Sequence, residues 1–445
     1  MRISPKHLET ASAALIALVT ISIIGFVLAS YLTLIRAQNV STMRAQAWNT
    51  ALPMSEAGIE EALTHINTAG STNWEGNGWT LSSGFYVKSR DFTNYSWIAS
   101  ISATDPPAIV STGFVATVAN GIFASVNMEA EPTTTYASRA VRVNTAKDGL
   151  FTKAMVAKNT IDLKGNNIQT DSFDSANPLY STNGLYDPNP DKIKDNGDIA
   201  TNSGIINSIS VGNANIWGRA STGPGGSVSV GPNGAVGSKA WNMAGSNGVE
   251  PGWVKDDMNV SFPDITAPFA GGFTPMSGSI GATTYTYLLG TADYIMSNLN
   301  MSGGNEMYVN GHARLYVTTG IQISGNAKIT IATNASLKIY MGGASASIGG
   351  NGVANHTGNA ANFAFLGLPT HTSLSFSGNG AFTGVIYTPN ADFTLGGGGN
   401  DIHDFIGSSV TKTVAMNGHF HFHYDENLAN SQWSRGYIAV SWDEI

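Results

Sequence analysis

The chain has 445 residues, enough for two or three domains with a sizeable core. Only 12% of the residues are charged and 42% are hydrophobic, a composition that excludes a disordered chain. The formal net charge of −8 disfavours nucleic acid as a partner, and the lack of cysteine excludes disulfides, cysteine-based metal sites and thiol nucleophiles.

The first predicted element is a membrane-spanning helix. Residues 13–35 carry no charge, and a helix of this length covers about 35 Å, enough to cross a hydrocarbon core of about 30 Å. A cleaved secretory signal is the alternative, although its apolar region is usually shorter. The polar, glycine-rich chain that follows is typical of an exported body. We therefore expect a single-pass inner-membrane protein with its body in the periplasm, at the cell surface or in an extracellular filament.

Helical periodicity continues beyond the apolar run. Small and apolar residues recur at spacings of three and four up to Ile66, and glutamates lie on the opposite face. Pro53 is expected to kink or restart the helix. The pattern predicts a mostly helical stalk from about Glu9 to Asn67, within a first segment of residues 1–67.

This region resembles the N-terminus of PilX-type minor pilins and other pilin-like proteins. The resemblance rests on AALIALVTISIIGFVLASYLTL, on MRAQAW and on SEAGIEEAL at Ser55–Leu63. It implies a helix that first anchors the subunit in the inner membrane and later packs into the centre of a pilus or pseudopilus. Class-defining pilins carry Gly just before their cleavage point and Glu at the fifth position after it. The corresponding stretch of this chain, from Thr10, has neither residue. A permanently anchored protein is therefore the alternative to a processed pilin.

The resemblance also implies roles for individual residues. Glu56 and Glu60 are expected to pair with neighbouring subunits, so pilin-like subunits or the pilus assembly machinery are the expected protein partners. The residues expected to pack in the membrane and in the filament are Leu15, Ile16, Leu18, Val19, Ile23, Ile24, Val27 and Leu28.

Residues 68–147 are predicted to form a small antiparallel β domain that packs on the stalk. Short runs with period-two alternation, such as SWIASISAT and AIVSTGFVATV, are separated by Gly, Pro, Asn or Asp. Residues 148–445 form the third predicted domain, with a loop-rich insertion at about 221–300 where glycine and proline are frequent.

A glycine repeat predicts the fold of this third domain. Gly-Asn marks between Gly304 and Gly418 recur at intervals of 21, 25, 28, 21 and 19 residues, with β-branched runs between them. This period is typical of a right-handed parallel β-helix, in which glycine and asparagine form the corners. An antiparallel β-sandwich is the alternative.

The densest group of potential ligands is the run HFHFHYDE at residues 419–426. In a strand, His419, His421 and His423 lie on one face, and a pair of them could bind a metal ion together with Asp425 or a residue of a neighbouring coil. Alternatively, the two phenylalanines between them enter the core and the histidines are only a solvent face.

The remaining sequence motifs give weaker evidence of a functional site. GGGGNDIHD at Gly396–Asp404 resembles one copy of a calcium repeat, but such sites form between consecutive copies. The acidic segment Asp187–Asp198 reads as a surface loop. The motifs G-x-S-x-G, H-E-x-x-H and G-x-x-x-x-G-K-[ST] do not occur in the sequence.

The sequence therefore predicts a structural protein rather than an enzyme, without a cofactor. We expect a minor subunit or tip adhesin that acts by assembly and surface binding, with a surface polysaccharide as a candidate partner. The alternative is a membrane-tethered β-helical carbohydrate-active enzyme or polysaccharide-binding protein. An enzyme of this kind requires two or three carboxylates that converge on one face of the body.

Overall fold

The computed structural model describes residues 6–68, 74–118, 134–165, 167–378, 381–397, 403–431 and 433–445. These residues form a mainly β chain with one long N-terminal helix, as predicted. The chain divides into two compact units, residues 1–148 with 436–445 and residues 149–435.

The first unit begins with helix α1, Lys6–Thr68. The helix continues through Pro53, so the restart predicted there is wrong, and the predicted kink stays a prediction. A proline inside a helix removes one backbone hydrogen bond. The residues around Pro53 are packed against a sheet, and this tertiary packing stabilises the helix despite that loss.

One face of the second half of α1 is buried. Together with buried Ser55, its buried apolar residues follow spacings of three and four: Ala47, Ala51, Ile59, Ala62 and Ile66. They pack against apolar side chains of a sheet, among them Trp97, Ile101, Val115 and Val141. The apolar residues of the first half, from Leu15 to Leu34, are exposed. A single helix therefore has one half that packs on its own unit and one half that the described residues leave exposed.

In the described part of the first unit, the sheet has six strands in the order β1-β2-β3-β4-β5-β31. The pairs among β1 to β5 are antiparallel, as predicted for this region. The strands are β1 Thr80–Ser82, β2 Phe85–Asp91, β3 Tyr95–Ser102, β4 Ala108–Val118, β5 Thr134–Gly149 and β31 Ser434–Glu444.

The C-terminal strand β31 lies beside β5, far from it in sequence. The amide of Ile445 donates to the carbonyl oxygen of Ala140 at 3.0 Å, and Arg139 pairs with Glu444. The sequence had placed this strand in the third domain. The residues of β31 do not reveal which strand it pairs with. The edge of β5 presents unpaired backbone N–H and C=O groups, and a further strand satisfies them.

The described residues of the second unit form strands of two to 16 residues and one short α-helix. Its first strands are β6 Met155–Leu163, β7 Gln169–Phe173, β8 Ile199–Thr201, β9 Ile209–Gly212, β10 Asn215–Trp217, β11 Ala220–Ser221, β12 Val228–Val230, β13 Ala235–Gly237, β14 Gly248–Val249 and β15 Val254–Lys255, with helix α2 at Lys239–Met243. The central strands are β16 Gly278–Ile280, β17 Thr283–Tyr285, β18 Tyr287–Leu289, β19 Asp293–Met301, β20 Glu306–Val309, β21 His312–Ile323, β22 Lys328–Ile331 and β23 Ser336–Met341. The last strands are β24 Ser345–Gly350, β25 Val353–Asn355, β26 Phe363–Gly367, β27 Ser373–Gly378, β28 Phe382–Gly397, β29 His403–Met416 and β30 Phe420–Asp425.

Nineteen of these strands form one sheet through parallel pairs. Each strand lies beside the strand that occupies the same place in the next glycine-delimited repeat: β19 pairs with β21, β21 with β23, β23 with β26, β26 with β28, and β28 with β29. This parallel pairing contradicts the antiparallel sandwich. The handedness of the winding stays a prediction.

The order of the stack differs from the order of the sequence. Strand β29, near the end of the unit, pairs with β6 at its beginning, and Ser409 lies beside Met155. From β6 the stack continues through β8 to β11 and β15. The chain therefore enters near the middle of the stack and later returns to its other end.

Residues 256–277 make that return. Met258 donates its amide to the Thr222 carbonyl at 2.9 Å, the Pro263 carbonyl accepts from the Tyr387 hydroxyl at 2.7 Å, and the Phe273 amide donates to the Asp293 carbonyl at 2.8 Å. The contacts thus run from one end of the stack to the other. The loop-rich insertion predicted at about 221–300 is narrower than expected. Before it, strands β11 to β15, of two or three residues and too short to show alternation, pair within the main sheet; after it, β16 pairs with β17, β18 with β20, and β19 with β21 of the main sheet.

The core of the second unit consists of side chains repeated in register. Phe382 lies beside Phe405 and Phe405 beside Phe422 in the ladder. Their rings stack at 4.3 and 4.1 Å between centroids. A parallel ladder places equivalent positions directly above one another, so one aromatic residue per repeat builds a continuous buried column.

Candidate functional site

Three neighbouring parallel strands bring the histidine run together with carboxylates from distant parts of the chain. Strand β30 lies between β29 and β7. The register places His421 beside Asp404 of β29 and His423 beside Asp171 of β7. Because side chains alternate along a strand, all four project from the same face of this sheet. Phe420 and Phe422 are buried in the core, as the second interpretation of the run predicted, but its prediction that the histidines are only a solvent face is wrong, because His423 is buried as well.

The pair between His423 and Asp171 is fully enclosed. Nδ1 of His423 lies 2.6 Å from Oδ1 of Asp171, and the side chains are 2% and 0% exposed. The other carboxylate oxygen accepts from Gln169 at 3.0 Å and from the hydroxyl of Tyr186 at 3.4 Å. Asp171 thus holds the imidazole in one orientation and is itself fixed by two further donors.

The second nitrogen of His423 faces a more open carboxylate. Nε2 lies 3.3 Å from Oδ1 of Asp404, whose side chain is 48% exposed. Tyr186 covers the imidazole from the loop after β7, with ring centroids 3.7 Å apart and planes inclined by 24°. The cluster therefore has a closed side at Asp171 and Tyr186 and an open side at Asp404.

The two histidines differ in charge. Burial favours neutral imidazole at His423, but Asp171 and Asp404 outweigh it and raise the pKa of His423 to about 9. At His421, burial and then the neighbouring positive His423 lower the pKa. Burial raises the pKa of Tyr186, so its hydroxyl remains a donor. At neutral pH the cluster thus combines a protonated His423 with a neutral His421, which has a free nitrogen lone pair.

One group of potential ligands emerges from this geometry. One atom each from Asp404, His421 and His423 lies within 4.8 Å of the other two. The sequence predicted the two histidines and allowed for a residue of a neighbouring coil, but it did not identify Asp404 or Asp171. Asp404 precedes His421 by about one glycine repeat and ends the calcium-like motif Gly396–Asp404, but neither feature linked it to the histidines. No local signal identifies Asp171, 252 residues from His423 along the chain.

His419 and Asp425 lie outside the group. His419 comes before the first residue of β30 and is half-buried. Asp425 is buried at the other end of β30, where it accepts from the amides of Ser175 at 3.0 Å and Asn427 at 3.1 Å. Burial raises the pKa of this carboxyl. Asp425 is a capping residue of the following turn.

The other predicted segments are placed as follows. Residues 398–402, most of the calcium-like motif, lie outside the described residues. In the acidic loop, Asp187 accepts from Thr182 and from the amide of Asn189, while Asp198 pairs with Lys153 at 2.8 Å. These two carboxylates stabilise their own surroundings.

The predicted packing residues of α1 are all exposed, from 47% at Val19 to 68% at Leu18. Glu60 is exposed and Glu56 half-buried. The neighbouring Glu61 pairs instead with Lys88 at 2.6 Å and with Arg90 at 3.0 Å. The packing residues and Glu60 thus remain accessible to lipid or to another chain.

Residues 280–431 match a family model described as a domain of unknown function, DUF7305. The match spans β17 to β30 and includes Asp404, His421 and His423, whereas Asp171 and Tyr186 precede it. Neither a curated protein nor a solved structure matches the chain.

Proposed function

We propose that this chain is a membrane-anchored, pilin-like structural protein, a minor subunit or tip adhesin of a type IV pilus or pseudopilus. It acts by assembly and surface binding, with its body in the periplasm or at the cell surface. The observation that carries the proposal is the division of α1 into an exposed apolar half and a half packed on an antiparallel sheet. The exposed half of α1 would serve as the membrane anchor, and the other half would form part of the head by packing on the sheet.

The exposed half suits a lipid or helix environment. It lies in the one described helix that is long and apolar enough to cross a membrane, a test that a signal sequence near an N-terminus also passes. Three of its hydroxyls donate to carbonyls of the preceding turn: Thr20 to Ile16 at 2.8 Å, Ser22 to Leu18 at 2.9 Å and Thr33 to Ser30 at 2.7 Å. Hydroxyls bonded within a helix lower the cost of transferring it from lipid to a bundle of similar helices.

We further propose that the second unit winds as a right-handed parallel β-helix. Its parallel pairs link equivalent positions of successive repeats. Connections between parallel strands of one sheet are right-handed in about 98% of cases, because of the strand twist. Such a body would present long ladders of surface side chains to a receptor or a polysaccharide.

Fractionation tests the anchor. Ile23→Lys places a charge at the centre of the apolar half, where insertion costs about 2.5–3.5 kcal/mol. The variant should move from the carbonate-resistant membrane fraction to the soluble fraction. Gln46→Lys adds the same charge at an exposed position beyond the apolar run and should leave the protein in the membrane. Identical fractionation of the two variants would refute the anchor.

Surface shearing tests assembly. Antibody against the second unit should detect the chain in the sheared filament fraction of native cells. Glu56→Ala with Glu60→Ala should reduce this signal while membrane levels stay constant. Glu75→Ala removes an exposed carboxylate from another part of the first unit and should have no effect. A filament fraction free of the chain would argue against the pilus role and leave the anchor intact.

A further inference from the structure

We propose that Asp404, His421 and His423 bind a divalent transition-metal ion of the zinc type where strands β29, β30 and β7 meet. This site is distinct from the proposed anchoring and assembly role. It uses side chains of the second unit only.

The spacing of one donor pair fits a tetrahedral ion. Zinc binds imidazole nitrogen and carboxylate oxygen at about 2.0–2.2 Å, so two ligands of one tetrahedron lie about 3.3 Å apart. Nε2 of His423 and Oδ1 of Asp404 are separated by 3.3 Å. A metal ion between them would replace the hydrogen that they share, with a nitrogen of His421 in the same 4.8 Å group.

The donor types select the class of metal. Two imidazoles and one carboxylate suit zinc and neighbouring first-row ions, whereas calcium and magnesium prefer sites made of oxygen alone. Because the Asp404 side chain is 48% exposed, water can occupy the fourth position. The site thus has three protein ligands and one open coordination position.

The buried side of the cluster supports this assignment. A metal-binding histidine almost always donates its other ring nitrogen to a carboxylate or a carbonyl group, which fixes the ring and makes it a better ligand. Asp171 is this carboxylate, 2.6 Å from Nδ1 of His423 and wholly buried. The bonds from Gln169 and Tyr186 hold Asp171 in turn.

The position of the site gives the ion a structural role. Asp404 and the two histidines lie on β29 and β30, and β30 pairs with β7 from the opening part of the unit. The ion would therefore link β29 and β30, at the junction where the last strands of the unit pair with its first strands. An ion that binds only the folded state would stabilise this junction by an amount that grows with the logarithm of the metal concentration once that exceeds Kd.

Calorimetry on the full chain in detergent tests the proposal. The protein carries no polyhistidine tag, is stripped with a chelator and is titrated with ZnCl2. We expect one ion per chain and a higher melting temperature with zinc. Asp404→Asn and His421→Asn each remove one ligand on the accessible side and should weaken binding at least tenfold. Both variants should lose the zinc-dependent rise in melting temperature.

His419→Asn is the matched control, since it changes a histidine of the same run outside the group. It should bind zinc like the native chain. Two results would overturn the proposal: no zinc uptake by the folded native chain, which would make the cluster an ion pair only, or equal weakening by His419→Asn. His423→Asn is unsuitable as the main variant, because it also breaks the buried pair with Asp171.

Discussion

Asp171 and His423 face each other across two paired parallel strands, with Oδ1 2.6 Å from Nδ1 and both side chains shielded from water. Asp171 lies in β7, near the beginning of the second unit, and His423 lies in β30, near the end of this unit. A buried charge is tolerated only when it is paired and hydrogen-bonded. The pair therefore makes the contact between the two ends of this unit specific, because any other register would leave a charge buried alone.

Asp171→Asn should destabilise the second unit strongly. Removing one partner of a buried ion pair costs about 3–5 kcal/mol, because the remaining charge is left uncompensated. Urea denaturation in the presence of a chelator measures the change in the free energy of unfolding. Asp392→Asn is the control: Asp392 is exposed and pairs with Lys412 at 3.3 Å, so about 1 kcal/mol or less is expected. Equal effects would mean that the buried pair is not a major stabilising contact.

Phe405→Ala should open a cavity in the aromatic column of the second unit. Truncation of a buried phenylalanine costs about 3–5 kcal/mol, and Phe405 is fully buried between two stacked rings. Phe273→Ala truncates a ring that is 69% exposed and should change stability by less than about 0.5 kcal/mol. Thermal unfolding of the two variants side by side measures the difference, and similar melting temperatures would contradict the column.

Gly113→Ala should separate α1 from the sheet of the first unit. A Cβ at this position would lie 2.2 Å from the carbonyl oxygen of Ala51 and 2.5 Å from the amide nitrogen of Ser55. These are backbone atoms, so the helix itself must shift, at about 1–3 kcal/mol for an overpacked core. Hydrogen exchange in β4 should rise. Thr112→Ala, one residue earlier and half-buried, should leave exchange nearly unchanged.

The fully buried His371 should make stability fall in acid. Burial lowers its pKa, against an opposing hydrogen bond at 2.9 Å to the Gly343 carbonyl. The unfolded chain therefore takes up a proton near pH 6.5 while the folded chain resists it. The contribution of neutral His371 to the free energy of unfolding is therefore complete above pH 6.5. It is lost as the pH falls through the pKa that His371 has in the folded chain.

Comparison of melting temperatures between pH 7 and pH 5 measures this loss. His371→Asn should lose less stability over this range than the native chain. His356→Asn changes an exposed histidine and should follow the native profile. A native-like pH profile for His371→Asn would exclude His371 as the titrating group.

Repeated features were predictable. The alternation in residues 419–426 placed Phe420 and Phe422 in the core, and the glycine period anticipated parallel ladders. Contacts that occur once and do not repeat along the chain were not predictable. The sequence assigned β31 to the third predicted domain, whereas the structure pairs it with β5. Asp425 was expected among the ligands, but it caps the turn after β30. In each case the partner lies far away along the chain and leaves no local pattern.

By itself, the sequence determined the apolar helix, the β-rich body and the face of the strand on which the histidines lie, because each follows from a short-range period. Only the tertiary structure decided that the last strands of the second unit stack on its first. That contact brings Asp171 to His423. The choice depends on burying apolar ladders and pairing charges over about 250 residues, and no local window of the sequence contains that information.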